Sequence, residues 1–282
     1  MAGEPSTPRR AEPRAFLAVD WSGARSGVKR KLWIAEADEG GLVRLECGRT
    51  REELVAHLVE LARAEPALVV GLDFAFSFPA WFLEREGLAD ARSFWRLVAR
   101  DGEGWLARSP HPFWGRPGRR RPPADPACNP WRACERARLP VAGILPKSVF
   151  QTGGAGAVGT GSLRGMPHLA TLQDAGFAVW PFDRARLPLV LEIYPRWLTG
   201  AVAKSSRAAR ACHLAARHAD VPRALLALAE GSEDAFDAAV SAIAMRASAR
   251  ELAGLPDAAD ARERLEGRIW APRRDPLFRG SG

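Results

Sequence analysis

Two stretches of the chain share one pattern, an apolar run that ends on an aspartate and passes straight into small residues. In FLAVDWSGA, Phe16 to Val19 are apolar and Asp20 follows. In ALVVGLDFAFSFP, Leu68 to Leu72 lead to Asp73. Short apolar runs bounded by turn formers mark strands buried on both faces. A carboxylate at the exit of such a strand is costly to leave unpaired, so it requires a cation, a donor or water. Two strands that each deliver an acid predict a site at one edge of a sheet.

The pattern between and beyond them predicts the other elements. KLWIAEAD and LVRLECG read as a second and third strand, with a hairpin turn over Asp38 to Gly41. Leu54, Val55, Leu58, Val59 and Leu61 follow helical spacing, opened by Thr50 as N-cap with Glu53 three residues on. A helix between the third strand and Leu68 to Leu72 makes the latter a right-handed crossover, parallel to the first strand. Short helices are expected at Pro79 to Leu88 and Ser93 to Arg100, and a helix at His168 to Ala175. Strands are expected at Phe177 to Phe182 and at Leu187 to Ile193, the second delivering Glu192. Helices follow at Arg207 to Arg217 and Pro222 to Ala229. The longest is Glu233 to Leu252, with Phe236, Val240, Ile243 and Ala244 as its apolar stripe and Asp234 and Asp237 opening it on one face. RIWAP, at Trp270, reads as a last edge strand. Residues 1–14 read as a disordered leader, 15–272 as one domain and 273–282 as a tail.

Charge changes the picture in one segment. The formal net charge is +8, and between Trp105 and Pro140 eight Arg face only Asp125 and Glu135. Lysine is scarce (four residues), and an arginine-rich composition arises without a functional cause in a GC-rich coding sequence. Charge concentrated in one segment is harder to explain that way and suits a polyanionic partner. Residues 102–139, rich in Arg, Pro and Trp, read as a basic insertion or lid. Arg119 and Arg120 lie beside Trp114 and Trp131, and Arg with Trp suits single-stranded or distorted nucleic acid, the one on phosphate and the other on bases. A solvated lid whose Trp residues pack on the domain is the plainer alternative. No apolar run is long enough for a membrane span, and no secretory h-region is present, so a cytoplasmic protein is expected. The four cysteines lack metal-ligand spacing, and His213 and His218, five apart, do not share a helical face, which argues against zinc.

The chemistry therefore rests on acids: Asp20, Asp73, Glu192, Asp234 and Asp237. Clustered carboxylates repel, and a divalent cation resolves the repulsion, with all-oxygen ligation favouring Mg²⁺ or Mn²⁺. Two such ions can activate water and stabilise the leaving oxygen in phosphodiester hydrolysis. Each acid also has a structural reading. Asp20 and Asp73 suit turns after strands, Asp234 suits a helix N-cap, Asp237 suits a first helical turn, and Glu192 suits pairing with an Arg. A second candidate feature is Lys147, Ser148, Gln151 and the glycines up to Gly165, with Arg164, which read either as a phosphate clamp or as a flexible connector. Gly154-x-Gly156-x-x-Gly159 also matches a dinucleotide fingerprint, but Gly161, Gly165 and Pro167 are expected to interrupt the helix it needs.

AVDWSGA, GLDFAFSFP, PKSVFQTGGAGAVGTGSLRGMP, EIYPR and DAFDAAVSAIAM together cover most of the chain from Phe16 to Met245. In these stretches it resembles the domain-of-unknown-function 429 family of predicted RNase H-like nucleases. The resemblance implies an α/β fold, a mixed five-stranded sheet in the order 3-2-1-4-5 flanked by helices. It also implies a carboxylate site, with Asp20 on both metals and Asp73 and Asp237 completing their shells. Asp234 and Glu192 would be further ligands or supporting groups. The expected function is a metal-dependent nuclease. Its rivals are a nucleotide-binding phosphotransferase or ATPase of the related actin-like fold, and a non-catalytic nucleic-acid-binding protein.

Overall fold

In the computed structural model, which describes residues 11–154 and 156–273, the apolar run at the start of the sequence becomes β1 (Ala15–Asp20). It pairs antiparallel with β2 (Trp33–Asp38), and β2 pairs antiparallel with β3 (Gly41–Cys47), so the hairpin forms where the turn residues predict it. A short helix, α1 (Val28–Lys31), precedes β2. Helix α2 (Arg51–Ala64) carries the expected capping box: Glu53 N–H donates to Thr50 Oγ1 at 3.2 Å, and Thr50 N–H donates to Glu53 Oε2 at 2.8 Å. The chain then returns as β4 (Leu68–Leu72), parallel to β1.

Helices α3 (Ala80–Arg85), α4 (Ala91–Arg108), α5 (Ala133–Arg136) and α6 (Val158–Asp174) follow, then β5 (Ala178–Trp180) and β6 (Leu189–Ile193). Helices α7 (Pro195–Thr199), α8 (Arg207–Arg217), α9 (Arg223–Gly231), α10 (Glu233–Ala247), α11 (Ala249–Ala253) and α12 (Ala261–Glu266) lead to β7 (Ile269–Trp270). The sheet is mixed and seven-stranded, in the order β3-β2-β1-β4-β6-β5. This differs from the expected five strands. The neighbour of β4 is β6, and its far edge is shared: β5 pairs with Leu189 to Leu191, and β7 with Glu192 and Ile193. Two short strands thus divide the work of one.

Alternation along the strands builds two cores. Leu17, Val19, Val70 and Leu72 pack with the side chains of α2, α4 and α6. Phe16, Ala18, Val69 and Leu191 pack on the other face with Phe236, Val240 and Met245 of α10. Because side chains alternate every residue, Asp20 shares the α10 face with Phe16 and Ala18. Glu192 falls with Val190 on the opposite face.

Three expectations about helices are corrected. Helix α4 runs to Arg108, beyond Arg100, because Val98, Trp105 and Leu106 keep a continuous face on the core, so the irregular segment begins at Ser109. The expected helix from Glu233 to Leu252 is two, broken at Ser248. Helix α6 begins at Val158 and passes through Gly159, Gly161, Gly165 and Pro167 without interruption. Two of those glycines, Gly159 and Gly165, are there for close approach, the second against the Phe74 ring. A Cβ on Gly159 would lie 2.1 Å from the Val149 carbonyl oxygen, and one on Gly23 would lie 2.5 Å from the Gly161 nitrogen. The dinucleotide fingerprint fails for another reason: the segment before its glycines is a turn, where a strand is required. The expected leader and tail lie largely outside the described residues. At its inner end, Arg14 N–H already donates to the Ala67 carbonyl at 2.9 Å.

Candidate carboxylate centre

Backbone pairing carries the acids to one place. Asp73 N–H donates to the Val19 carbonyl at 3.1 Å, extending the β1–β4 register to the residue just past the strand, so Asp73 sits beside Asp20 at the same sheet edge. Helix α10 crosses β1 and β2 on that face. Its N-cap is Ser232, whose hydroxyl accepts from Ala235 N–H at 3.3 Å. Asp234, which the sequence offered as the cap, is therefore a first-turn acid. Asp237, one turn further, is 6% exposed and points among the strand-end acids.

The electrostatics record this convergence. Asp20 is held well above the ordinary aspartate range, by burial first and then by Asp73, Asp237 and Asp234. Asp73 is pushed up to about 8, again by burial first and then by Asp237, with Glu192 and Asp234 adding to it. Asp237 rises to about 6 through burial, although Lys204 pulls it down. Asp234 is raised by burial and by Glu233. Four carboxylates from three elements thus share one poorly hydrated volume, and the Lys204 ammonium, bonded to Asp237 Oδ2, is the principal counter-charge. Asp237 Oδ1 is buried and has no hydrogen-bond partner.

These donors fit a hard divalent cation in kind: all are carboxylate oxygens, and a buried one lacks a partner. Among the described residues, no three His, Cys, Asp or Glu side chains are arranged around a common metal-sized point. Lys204 stands at the acids instead, so cation entry requires the lysine or the carboxylates to shift. Lys204 was not singled out from the sequence. Its only signal there is that it is one of four lysines in the chain.

The remaining candidates divide. Glu192 lies on the far face and is fully engaged: its carboxylate takes Arg132 Nη1 at 2.8 Å and Nη2 at 2.5 Å, and Phe76 N–H at 2.9 Å. Arg132, 1% exposed, also holds Glu135 at 2.9 Å. Burial still pushes Glu135 up to about 7. This buried fork pins the Arg- and Pro-rich segment to the sheet, and Arg132, like Lys204, escaped the sequence reading. Arg164 is committed to Glu103 at 2.6 Å and to the Gly23 carbonyl at 2.5 Å, where it supports the turn after Asp20. Ser148 is buried and donates to the Pro130 carbonyl at 2.6 Å. Gln151 bridges to the Gly153 carbonyl at 3.3 Å. Lys147 alone of that group reaches an open cleft, of about 380 Å³, lined also by Trp21, Asp73, Val158, Glu192 and Tyr194. The Tyr194 phenol is raised to about 12 by burial and by Asp73. Arg119 and Arg120 are exposed on the loop beyond Trp114.

His213 and His218 are not on one helical face, yet their rings lie 5.5 Å apart, because α8 ends at Arg217 and the chain folds back. All four cysteines are free. Among the described residues, no helix is long and apolar enough to cross a membrane. No family model, no curated protein and no solved structure matches the chain.

Proposed function

We propose that this chain hydrolyses phosphodiester bonds, with Asp20, Asp73 and Asp237 holding Mg²⁺ or Mn²⁺ at the edge of an RNase H-like sheet. The reading is carried by the convergence of four aspartates with one buried, unpartnered oxygen, an arrangement whose repulsion a cation relieves. The order 3-2-1-4 followed by a parallel strand, with acids after the first and fourth, agrees with what the family resemblance implies.

A bound divalent ion supplies charge stabilisation at a phosphoryl oxygen and makes water a better nucleophile, and two ions can divide those tasks. The chain's own residues prepare the site. Asp20, Asp73 and Asp237 gather their carboxyl groups where water is scarce, and those that are protonated would release their protons as an ion binds. Lys204 balances part of it at Asp237 and limits the repulsion while no substrate is bound. Tyr194 stays protonated at neutral pH and can donate a hydrogen bond into the cleft beside Asp73. Lys147, exposed at the cleft, attracts an anionic substrate.

The test is Mn²⁺ titration by calorimetry on wild type and Asp20→Asn, followed by cleavage assays on single- and double-stranded DNA and RNA. Binding that Asp20→Asn abolishes, together with cleavage dependent on the same residue, is the expected result. Absence of Mn²⁺ binding to wild type, with and without nucleic acid, would falsify the reading.

A further inference from the structure

A second cavity, of about 330 Å³, lies in the Arg- and Pro-rich segment and is walled by Trp81, Trp114 and Trp131, with Arg121 and Asn129 at its lining. It is one wall away from the acid-lined cleft. The wall is tied by Ser148 donating to the Pro130 carbonyl, and by Trp131 Nε1 donating to the Pro146 carbonyl at 3.3 Å. We propose that this cavity takes a nucleobase of a single-stranded substrate, so that the strand's phosphates run over the arginine rim toward the carboxylates. The inference rests on the phosphodiester reading for its catalytic sense, but not for binding itself.

Three observations carry it. First, two of the tryptophans are fixed by their edges: Trp81 Nε1 donates to the Asn129 carbonyl at 2.7 Å, as Trp131 does to Pro146, so the Trp131 ring is held at the cavity wall with Arg121 over it. Second, the Arg121 guanidinium lies 4.5 Å from the Trp131 ring centre and 5.8 Å from that of Trp114. A flat, delocalised group therefore already finds these rings, and a base can stack in the same manner. Third, Arg116, Arg119, Arg120 and Arg121 are exposed, and among the described residues none of them pairs with a carboxylate. Arg132 and Arg164, by contrast, are fully committed. A positive rim without carboxylate partners complements a sugar–phosphate backbone.

The loop is also held in place. Trp114 N–H donates to the Phe150 carbonyl at 3.0 Å, and Thr152 N–H donates to the Trp114 carbonyl at 2.8 Å. A Cβ on Gly115 would lie 2.3 Å from the Gly153 oxygen, so the two backbones touch at a point only glycine permits. The base cavity and the start of α6 are thereby fixed to each other.

Fluorescence anisotropy tests this without divalent ions, using labelled oligo-dT and oligo-U of about 12 nucleotides and a fully abasic deoxyribose-phosphate strand of the same length. Wild type should bind the base-bearing strands more tightly than the abasic one. Trp131→Ala should weaken base-bearing strands roughly 5- to 150-fold, the range covered by loss of one base–aromatic stack, and leave the abasic strand unaffected. Arg119→Ala with Arg120→Ala should weaken all strands alike and lower the salt slope by about 1.4. Trp131→Leu, which keeps an apolar side chain at the wall, serves where Trp131→Ala does not fold and should have the same selective effect. Asp20→Asn should bind as wild type does, so loss of cleavage with retained binding separates the two readings. Equal affinity for abasic and base-bearing strands, or no binding of either, overturns the base cavity.

Discussion

Replacing Asp73 by asparagine should stabilise the protein when divalent cations are absent. An aspartate ordinarily ionises near 3.8, whereas burial and neighbouring acids push Asp73 up to about 8. Between those values the folded state keeps a proton that the unfolded chain has released. Stability contributed by this group is therefore full below the unfolded value and is lost as pH rises through the window. Neutral pH stands about 3 pH units above the unfolded value, and at ~1.4 kcal/mol per unit the penalty is at most ~4 kcal/mol. Asp73 retains partial exposure, and solvent screening reduces this to ~2 kcal/mol. The asparagine amide has nearly the shape of the protonated acid and carries no charge to desolvate. For a chain of this length each kcal/mol moves Tm by ~2–4 °C, so Asp73→Asn should melt ~4–8 °C higher in EDTA at neutral pH. The assay is a thermal melt of both proteins in EDTA from about pH 4 to about pH 9, repeated with Mn²⁺. The gap should close toward acid pH, and Mn²⁺ should raise the wild type but not the variant. A variant that melts lower at neutral pH, or one whose gain is the same at every pH, would refute the reasoning.

Three further outcomes follow from the same geometry. Arg132→Ala leaves Glu192 and Glu135 buried without their cation and should cost ~3–5 kcal/mol in denaturant melts; Arg132→Lys should not restore it, because an ammonium cannot make the two-carboxylate fork. Lys204→Met removes the counter-charge at Asp237 and should raise Mn²⁺ affinity above about pH 8, the value to which Asp73 is pushed, as read by calorimetry. His213 is pushed down to about 4, by burial first and then by His218 and Arg217. Its stabilisation is thus present above the ordinary histidine value and lost as pH falls below it, so His213→Gln should flatten the acid side of the stability profile between about pH 6.5 and pH 4.

Local sequence was enough for the strands that lead to Asp20 and Asp73, the hairpin, the capping box of α2 and the acids that open α10. All of these are local: an apolar run, a turn pair, a cap or a period repeats within a few residues and is read without knowing the rest of the chain. Alternation along each strand even contained the answer for Glu192, which falls in phase with Val190, not with the α10 side. What the tertiary structure decided is which side chain answers which. Lys204 and Asp237 are brought together by a helix crossing the sheet, and Arg132 reaches Glu192 across a long insertion. No local periodicity encodes either pairing. The glycines from Gly159 to Gly165 make the same point. In isolation they read as a break in helix formation, because glycine forfeits backbone entropy. In the fold, Gly159 of α6 touches the Val149 carbonyl at a distance no side chain allows, as Gly23 in the turn after Asp20 touches the Gly161 backbone. Contact between distant backbones, and not local propensity, sets those residues.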